Sequence, residues 1–229
     1  MSTRFDHILF DADNTLFDYD RAEGEALAAT FAAYGHGFDA AVHARYRAIN
    51  QSLWAAKERG EIATGVLTVE RFRRLFAELG LTQKPEVFNT CYLDALADGV
   101  QLIDGAYEVC ETLARAHTLS IVTNGVPRTQ RRRVERSAIR PFFAHLFISG
   151  EIGHKKPDIE YFEHVFRELG GVDRARTLIV GDSLTSDIQG GINAGIATCW
   201  FNPSGAPNAT DMQPDHEIRA LMDLLSIIV

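Results

Sequence analysis

The sequence predicts an α/β fold: a parallel sheet with helices on both faces, interrupted after its first strand by a long helical insert. Three observations predict it. From Gly99 onward short apolar runs alternate with helical periodicities, which implies right-handed strand–helix–strand crossovers and a parallel sheet. The apolar run His7–Phe10 reads as one more strand of that sheet, buried on both faces. Between that run and Gly99 no strand pattern occurs, only apolar residues at helical spacing.

The opening strand HILF runs into Asp11-Ala12-Asp13-Asn14-Thr15. Two carboxylates do not belong inside an apolar strand, so they are placed at its C-terminal end, where open α/β sheets bind ligands. By itself the string reads equally as an Asx-rich turn. The stretch from Tyr19 to Ala97 then reads as four helices. Ala22, Ala26, Leu27 and Phe31 mark the first, and Tyr46, Ile49, Leu53 and Trp54 the second. Val69, Phe72, Leu75, Phe76 and Leu79 mark the third, and the fourth starts at Pro85, a favourable first-turn proline. Further strands are expected at Leu119–Thr123, His145–Ile148, Thr177–Val180 and Thr198–Phe201, five in all with the first. Helices are expected near Ala106–Ala116, Arg128–Ser137, Ile159–Glu168 and Ser186–Ala194.

Three more motifs fall where these strands end. Thr123-Asn124-Gly125 combines a hydroxyl, an amide and a glycine, a set suited to phosphate oxygens, though an isolated TNG is more often a plain turn. Lys156 precedes Pro157, which disfavours helical geometry at the lysine and starts a helix directly after it, fixing where the ammonium points. Gly181-Asp182-Ser183 with Asp187 puts two acids beyond a buried strand, a set able to hold a hard cation or, as a lone pattern, to cap a helix.

Taken together and in this order, DxDxT, a threonine-containing turn, a lysine and GDxxxxD resemble the signatures of the haloacid dehalogenase superfamily, over essentially the whole chain. The resemblance implies a Rossmann-like core in residues 1–16 and 99–229 and an α-helical cap in residues 17–98. It implies that Asp11 is the nucleophile and forms an aspartyl-phosphate, and that Asp13 is the general acid and base. Thr123 and the Asn124 backbone would hold phosphoryl oxygens, and Lys156 would neutralise charge on them and on Asp11. Mg²⁺ would be bound by Asp11, the Asp13 carbonyl and Asp182, with Asp187 and Thr15 as supporting residues behind them. True dehalogenases of the superfamily lack the second acid, so Asp13 favours phosphoryl transfer. Electrostatics agrees: the carboxylates of Asp11, Asp13, Asp182 and Asp187 in one crevice must stay protonated or recruit cations, and a phosphate enters only if a metal and Lys156 offset them.

Longer matches narrow the branch. LFDADNTLFDYD, with Asn14 where many relatives carry Gly, NQSLWAAKERGEI in the insert, and GGINAGIATCWFN near the end resemble pyrimidine 5′-nucleotidases. That resemblance implies UMP, dUMP and dTMP as small-molecule substrates. The alternatives are a sugar-phosphate or phosphoglycolate phosphatase of the same fold, or a non-catalytic binding protein. Trp54, flanked by Asn50 and Lys57, is the aromatic suspected of touching the base, against a slightly favoured reading as cap core. Phe17 and Tyr19 are expected to line the entrance.

Bulk properties exclude other classes. With 229 residues, 46% hydrophobic, the chain has enough apolar material for a large core. A net charge of −8 argues against binding a nucleic-acid polymer through bulk electrostatics, and the arginine run Arg128, Arg131, Arg132, Arg133 and Arg136 reads as a solvated helix face. The three cysteines show no CxxC, the histidines no ligand spacing, and the expectation is a cytoplasmic protein with reduced thiols, no signal peptide and no membrane span.

Overall fold

The computed structural model describes residues 4–228. Among these the chain divides into two compact units, one running through Tyr19 and resuming at Val100, the other Asp20–Gly99. The two crossings between them lie side by side within the first unit. Phe17 bridges Leu102, Asp18 N donates to Gln101 O (3.0 Å), and Ile103 N donates to Leu16 O (2.9 Å).

The second unit is built on α1 (Tyr19–Ala33), α2 (Ala40–Glu58), α3 (Thr64–Leu79) and α4 (Pro85–Leu96), the helices the periodicity predicts. Asp39 caps α2, accepting from Val42 N at 2.9 Å, and Pro85 opens α4 as expected. Their apolar faces meet in an aromatic cluster. Phe88 lies 4.9 Å from Phe76, 5.0 Å from Phe72 and 5.2 Å from Phe31, ring centre to ring centre. A polar group is buried beside it. Arg71 donates to Asn50 Oδ1 (3.3 Å) and Asn89 Oδ1 (3.1 Å) and lies 4.7 Å above the Tyr92 ring, while Asn50 donates to the buried Glu23 (3.2 Å).

The first unit carries a six-stranded sheet: β1 (His7–Phe10), β2 (Thr118–Thr123), β3 (Phe143–Ile148), β4 (Thr177–Gly181), β5 (Ala197–Phe201) and β6 (His216–Ile218). All are parallel, in the order β3-β2-β1-β4-β5-β6. The sixth strand corrects the expectation of five. His-Glu-Ile carries no apolar run and is extended because it pairs with Cys199–Phe201. Alternation along each strand feeds two cores. Ile8, Phe10, Ile121, Leu178 and Val180 pack on one face with α5 (Ala106–Leu113) and α10 (Leu224–Ile228). Leu9, Val122 and Ile179 pack on the other with α8 (Ile159–Glu168) and α9 (Gln189–Ala194). Along the chain, α6 (Pro127–Arg136) follows β2 and the short α7 (Ser149–Ile152) follows β3. Among the described residues no helix is long and apolar enough to cross a membrane.

Candidate active site

Strand order reverses between β1 and β4, the place where open α/β sheets leave a crevice beyond their strand ends. Asp11 is the first residue past β1 and Asp182 the first past β4. The register pairs Phe10 with Val180, and Asp11 N continues the ladder by donating to Val180 O at 2.9 Å. Pairing of neighbouring strands thus brings together two acids 171 positions apart in the chain.

Lys156 reaches this crevice from the loop before α8. Its ammonium is buried and donates to Asp11 Oδ1 (2.6 Å), Asp187 Oδ1 (2.6 Å) and Val122 O (2.7 Å). Three donors meet three acceptors, so the amine is fully satisfied. The Lys156–Pro157 peptide is cis, and α8 starts at Ile159, as the helical periodicity expects. The loop between them is held by Asn124. Its amide pairs with the Lys156 peptide in both directions, Nδ2 to Lys156 O (2.9 Å) and Oδ1 from Lys156 N (3.0 Å). Asn124 Nδ2 also donates to Ser186 Oγ at 3.3 Å. The Asn124 side chain therefore ties the second motif to the third and fourth.

Asp187 does not sit on the continuous α-helix expected from Ser186. Leu184–Ile188 forms a π-helical turn before α9, a distortion common at functional sites. The turn folds the Asp187 carboxylate back under the end of β4, where Ser183 N donates to its Oδ2 at 3.1 Å. A Cβ on Gly181 would lie 2.3 Å from that carboxylate, so glycine is required for the close approach.

Asp11, Asp182 and Asp187 each place an oxygen within 4.8 Å of the others. Burial is the main force raising the Asp11 carboxyl to about 7, with the charges of Asp187 and Asp13 adding to it against the pull of Lys156. Burial likewise pushes Asp182 well above the carboxylate range, reinforced by Asp11 and Asp187. For Lys156 burial works toward a lower value, but the two carboxylates beside it prevail and hold it above the usual lysine range. The crevice is short of positive charge. An all-oxygen donor set of this kind fits a hard divalent cation such as Mg²⁺, and no histidine or cysteine belongs to it.

Asp13 is gripped from α6. Gln130 Nε2 donates to Asp13 Oδ2 at 2.6 Å, and Arg133 Nη1 donates to Asp13 Oδ1. This corrects the reading of the arginine run. Arg128, Arg131 and Arg136 are exposed, whereas Arg133 is fully buried, its guanidinium 4.7 Å above the Phe17 ring. The signal was present in the sequence: Gln130, Arg133 and Val134 share one helical face, which the structure turns inward.

The other candidates fall as follows. Thr123 is buried, and its hydroxyl accepts from Gly125 N at 3.1 Å. Thr15 is buried with no partner for its hydroxyl among the described residues. Asn14 adopts φ +59°, a left-handed conformation that asparagine tolerates better than other side chains, which explains its standing where glycine is common. Phe17 does not line an entrance: it is fully buried in the sheet core, because the turn that carries it closes back on Ala12 O through Phe17 N (2.9 Å). Tyr19 is partly exposed, its ring 6.0 Å from the Arg133 guanidinium. Trp54 belongs to the helical unit, where it is partly exposed with the Lys57 ammonium 4.5 Å above its ring.

Comparison with known proteins agrees with this arrangement. The family model described as haloacid dehalogenase-like hydrolase matches residues 5–195. The hydrolase YfnB of Bacillus subtilis is 40% identical over 98% of this chain and 96% of its own length. A crystal structure of YfnB described as bound to magnesium superposes with a TM-score of 0.93 over 98% of each chain. Two proteins named pyrimidine 5′-nucleotidase are also similar. PynA of Streptococcus pneumoniae is 36% identical over 96% of this chain and 94% of its own, and YjjG of Escherichia coli is 34% identical over 98% of both. On the match of the family model, the full-length relatives and the four motifs gathered at one switch point, the chain belongs to the haloacid dehalogenase-like hydrolases.

Proposed function

We propose that this family phosphatase hydrolyses pyrimidine nucleoside 5′-monophosphates, UMP, dUMP and dTMP, to nucleoside and phosphate in the cytoplasm. The observation that carries the phosphoryl chemistry is the Asp11–Lys156–Asp187 cluster beside Asp182, with Asp13 one residue beyond Ala12. The pyrimidine preference is supported by full-length similarity to PynA and YjjG.

In this reading Asp11 attacks phosphorus in line, and the bond to the nucleoside oxygen breaks as that oxygen takes the proton of Asp13. Asp13, now a carboxylate, removes a proton from water, which hydrolyses the aspartyl-phosphate and restores Asp11. The Thr123 hydroxyl and the Asn124 backbone N–H hold phosphoryl oxygens, and Lys156 offsets charge on them and on Asp11. Asp11, the Asp13 carbonyl and Asp182 would hold Mg²⁺. Asp187 is better suited to anchoring, since both its oxygens already accept hydrogen bonds. When bound, the metal compensates the carboxylates so that a phosphate dianion can enter.

The test is phosphate release with Mg²⁺ from UMP, dUMP, dTMP, AMP, GMP, phosphoglycolate and hexose phosphates, with Asp11→Asn and an EDTA-treated sample alongside. Pyrimidine nucleotides turning over best, with both controls silent, is the expected result. Faster turnover of phosphoglycolate or hexose phosphates would overturn the specificity, and an active Asp11→Asn protein would overturn the mechanism.

A further inference from the structure

We infer that Gln130 and Arg133 are positioning residues that fix the Asp13 carboxyl group for proton transfer, an inference that rests on the Asp13 role proposed above. Asp13 stands on a loop, its side chain about a quarter exposed, at 27%. Unsupported, such a carboxyl turns freely about its side-chain torsions. Here each oxygen has its own donor: Gln130 Nε2 on Oδ2 (2.6 Å) and Arg133 Nη1 on Oδ1. Both donors come from one face of α6, three residues apart, and both are buried. Two fixed donors on two oxygens stop rotation of the group, while each oxygen keeps a further lone-pair site for the substrate or water proton.

The surroundings show that the grip is built in. Burying a guanidinium is costly unless it is paired, and Arg133 lies over the ring of Phe17, a residue of the Asp13 loop itself whose carbonyl accepts from Asn14 N at 2.8 Å. Gly125 supplies the path for Gln130: a Cβ there would lie 2.2 Å from Nε2 and 2.7 Å from Cγ of that side chain. The glycine of the Thr123-Asn124-Gly125 turn thus leaves open the space through which Gln130 reaches Asp13. The turn therefore contributes to the acid as well as to the phosphate.

Proton donation matters only for a poor leaving group. Expulsion of a nucleoside alkoxide needs a proton from Asp13, whereas p-nitrophenolate leaves without one. The experiment compares kcat/KM, which reads phosphoryl transfer to Asp11, for UMP (or whichever alkyl ester of the panel turns over best) and for p-nitrophenyl phosphate. Gln130→Met and Arg133→Met are expected to lower kcat/KM for the alkyl ester about tenfold or more, with the aryl ester nearly unchanged. Arg133→Lys should recover part of the loss. Asp13→Asn sets the scale. If it fails to separate the two esters, the general-acid role itself is wrong. If it separates them but the two α6 variants lose both esters equally, or neither, positioning is wrong and the contacts are structural. Should Arg133→Met unfold the protein, Gln130→Met decides the matter alone.

Discussion

A single buried ammonium, Lys156, separates the Asp11 and Asp187 carboxylates and fills all of its hydrogen-bonding capacity doing so. Lys156→Met would leave two buried carboxylates facing each other, and removing one partner of such a cluster costs about 3–5 kcal/mol. Urea denaturation in EDTA measures this, and added Mg²⁺ is expected to restore part of it. Asn14 gives a smaller test. Its left-handed backbone predicts that Asn14→Val loses about 1–2 kcal/mol while Asn14→Gly is close to neutral. The four carboxylates and Lys156 were legible in the sequence through the order of four motifs along the chain, which resembles the family's, and the carboxylates also because they follow apolar strands whose ends parallel topology sends to one side. Arg133 was not, because a cluster of arginines reads as solvated by charge alone. Its placement depends on which helix face meets the sheet, and Val134 on that same face was the clue.

Among the elements, the helical unit was read from periodicity nearly to its ends, since long amphipathic stretches punctuated by glycine and proline leave little choice. Its buried polar group was not foreseen, because Glu23, Asn50, Arg71 and Asn89 each look like ordinary surface residues until the helices pack. Arg71→Leu is therefore expected to cost about 3–5 kcal/mol by stranding its amide partners and the carboxylate beside them, a loss readable as a lower melting temperature. In the sheet, β6 exists through pairing rather than propensity. The π-helical turn at Leu184–Ile188 exists because Asp187 must reach back beneath Gly181, and neither need is written in local sequence. The thiols divide cleanly by element. Cys110 on α5 and Cys199 on β5 are buried and pushed up to about 12 by burial, while Cys91 on α4 is exposed. One equivalent of a thiol reagent should therefore react with the native protein near neutral pH, and all three only after unfolding.

For the molecule as a whole, the acid crevice makes stability respond to pH and metal together. Burial keeps the folded Asp11 carboxyl protonated to about 7, whereas an unfolded one loses its proton near 3.8. The folded state therefore holds the extra proton between these values, and raising the pH through that window withdraws this contribution to stability. A bound cation requires the deprotonated form, so the rise in melting temperature given by Mg²⁺ should grow between about pH 4 and about pH 7. Differential scanning fluorimetry at several pH values, with and without EDTA, checks this. The paired crossings at Phe17–Leu102 and Asp18–Gln101 have a consequence for modularity. Because these pairs lie wholly within the first unit, excision of residues 20–99 leaves two chain ends within reach of a short splice. A spliced chain of this kind is expected to keep its six strands folded, which circular dichroism and a cooperative melt would check.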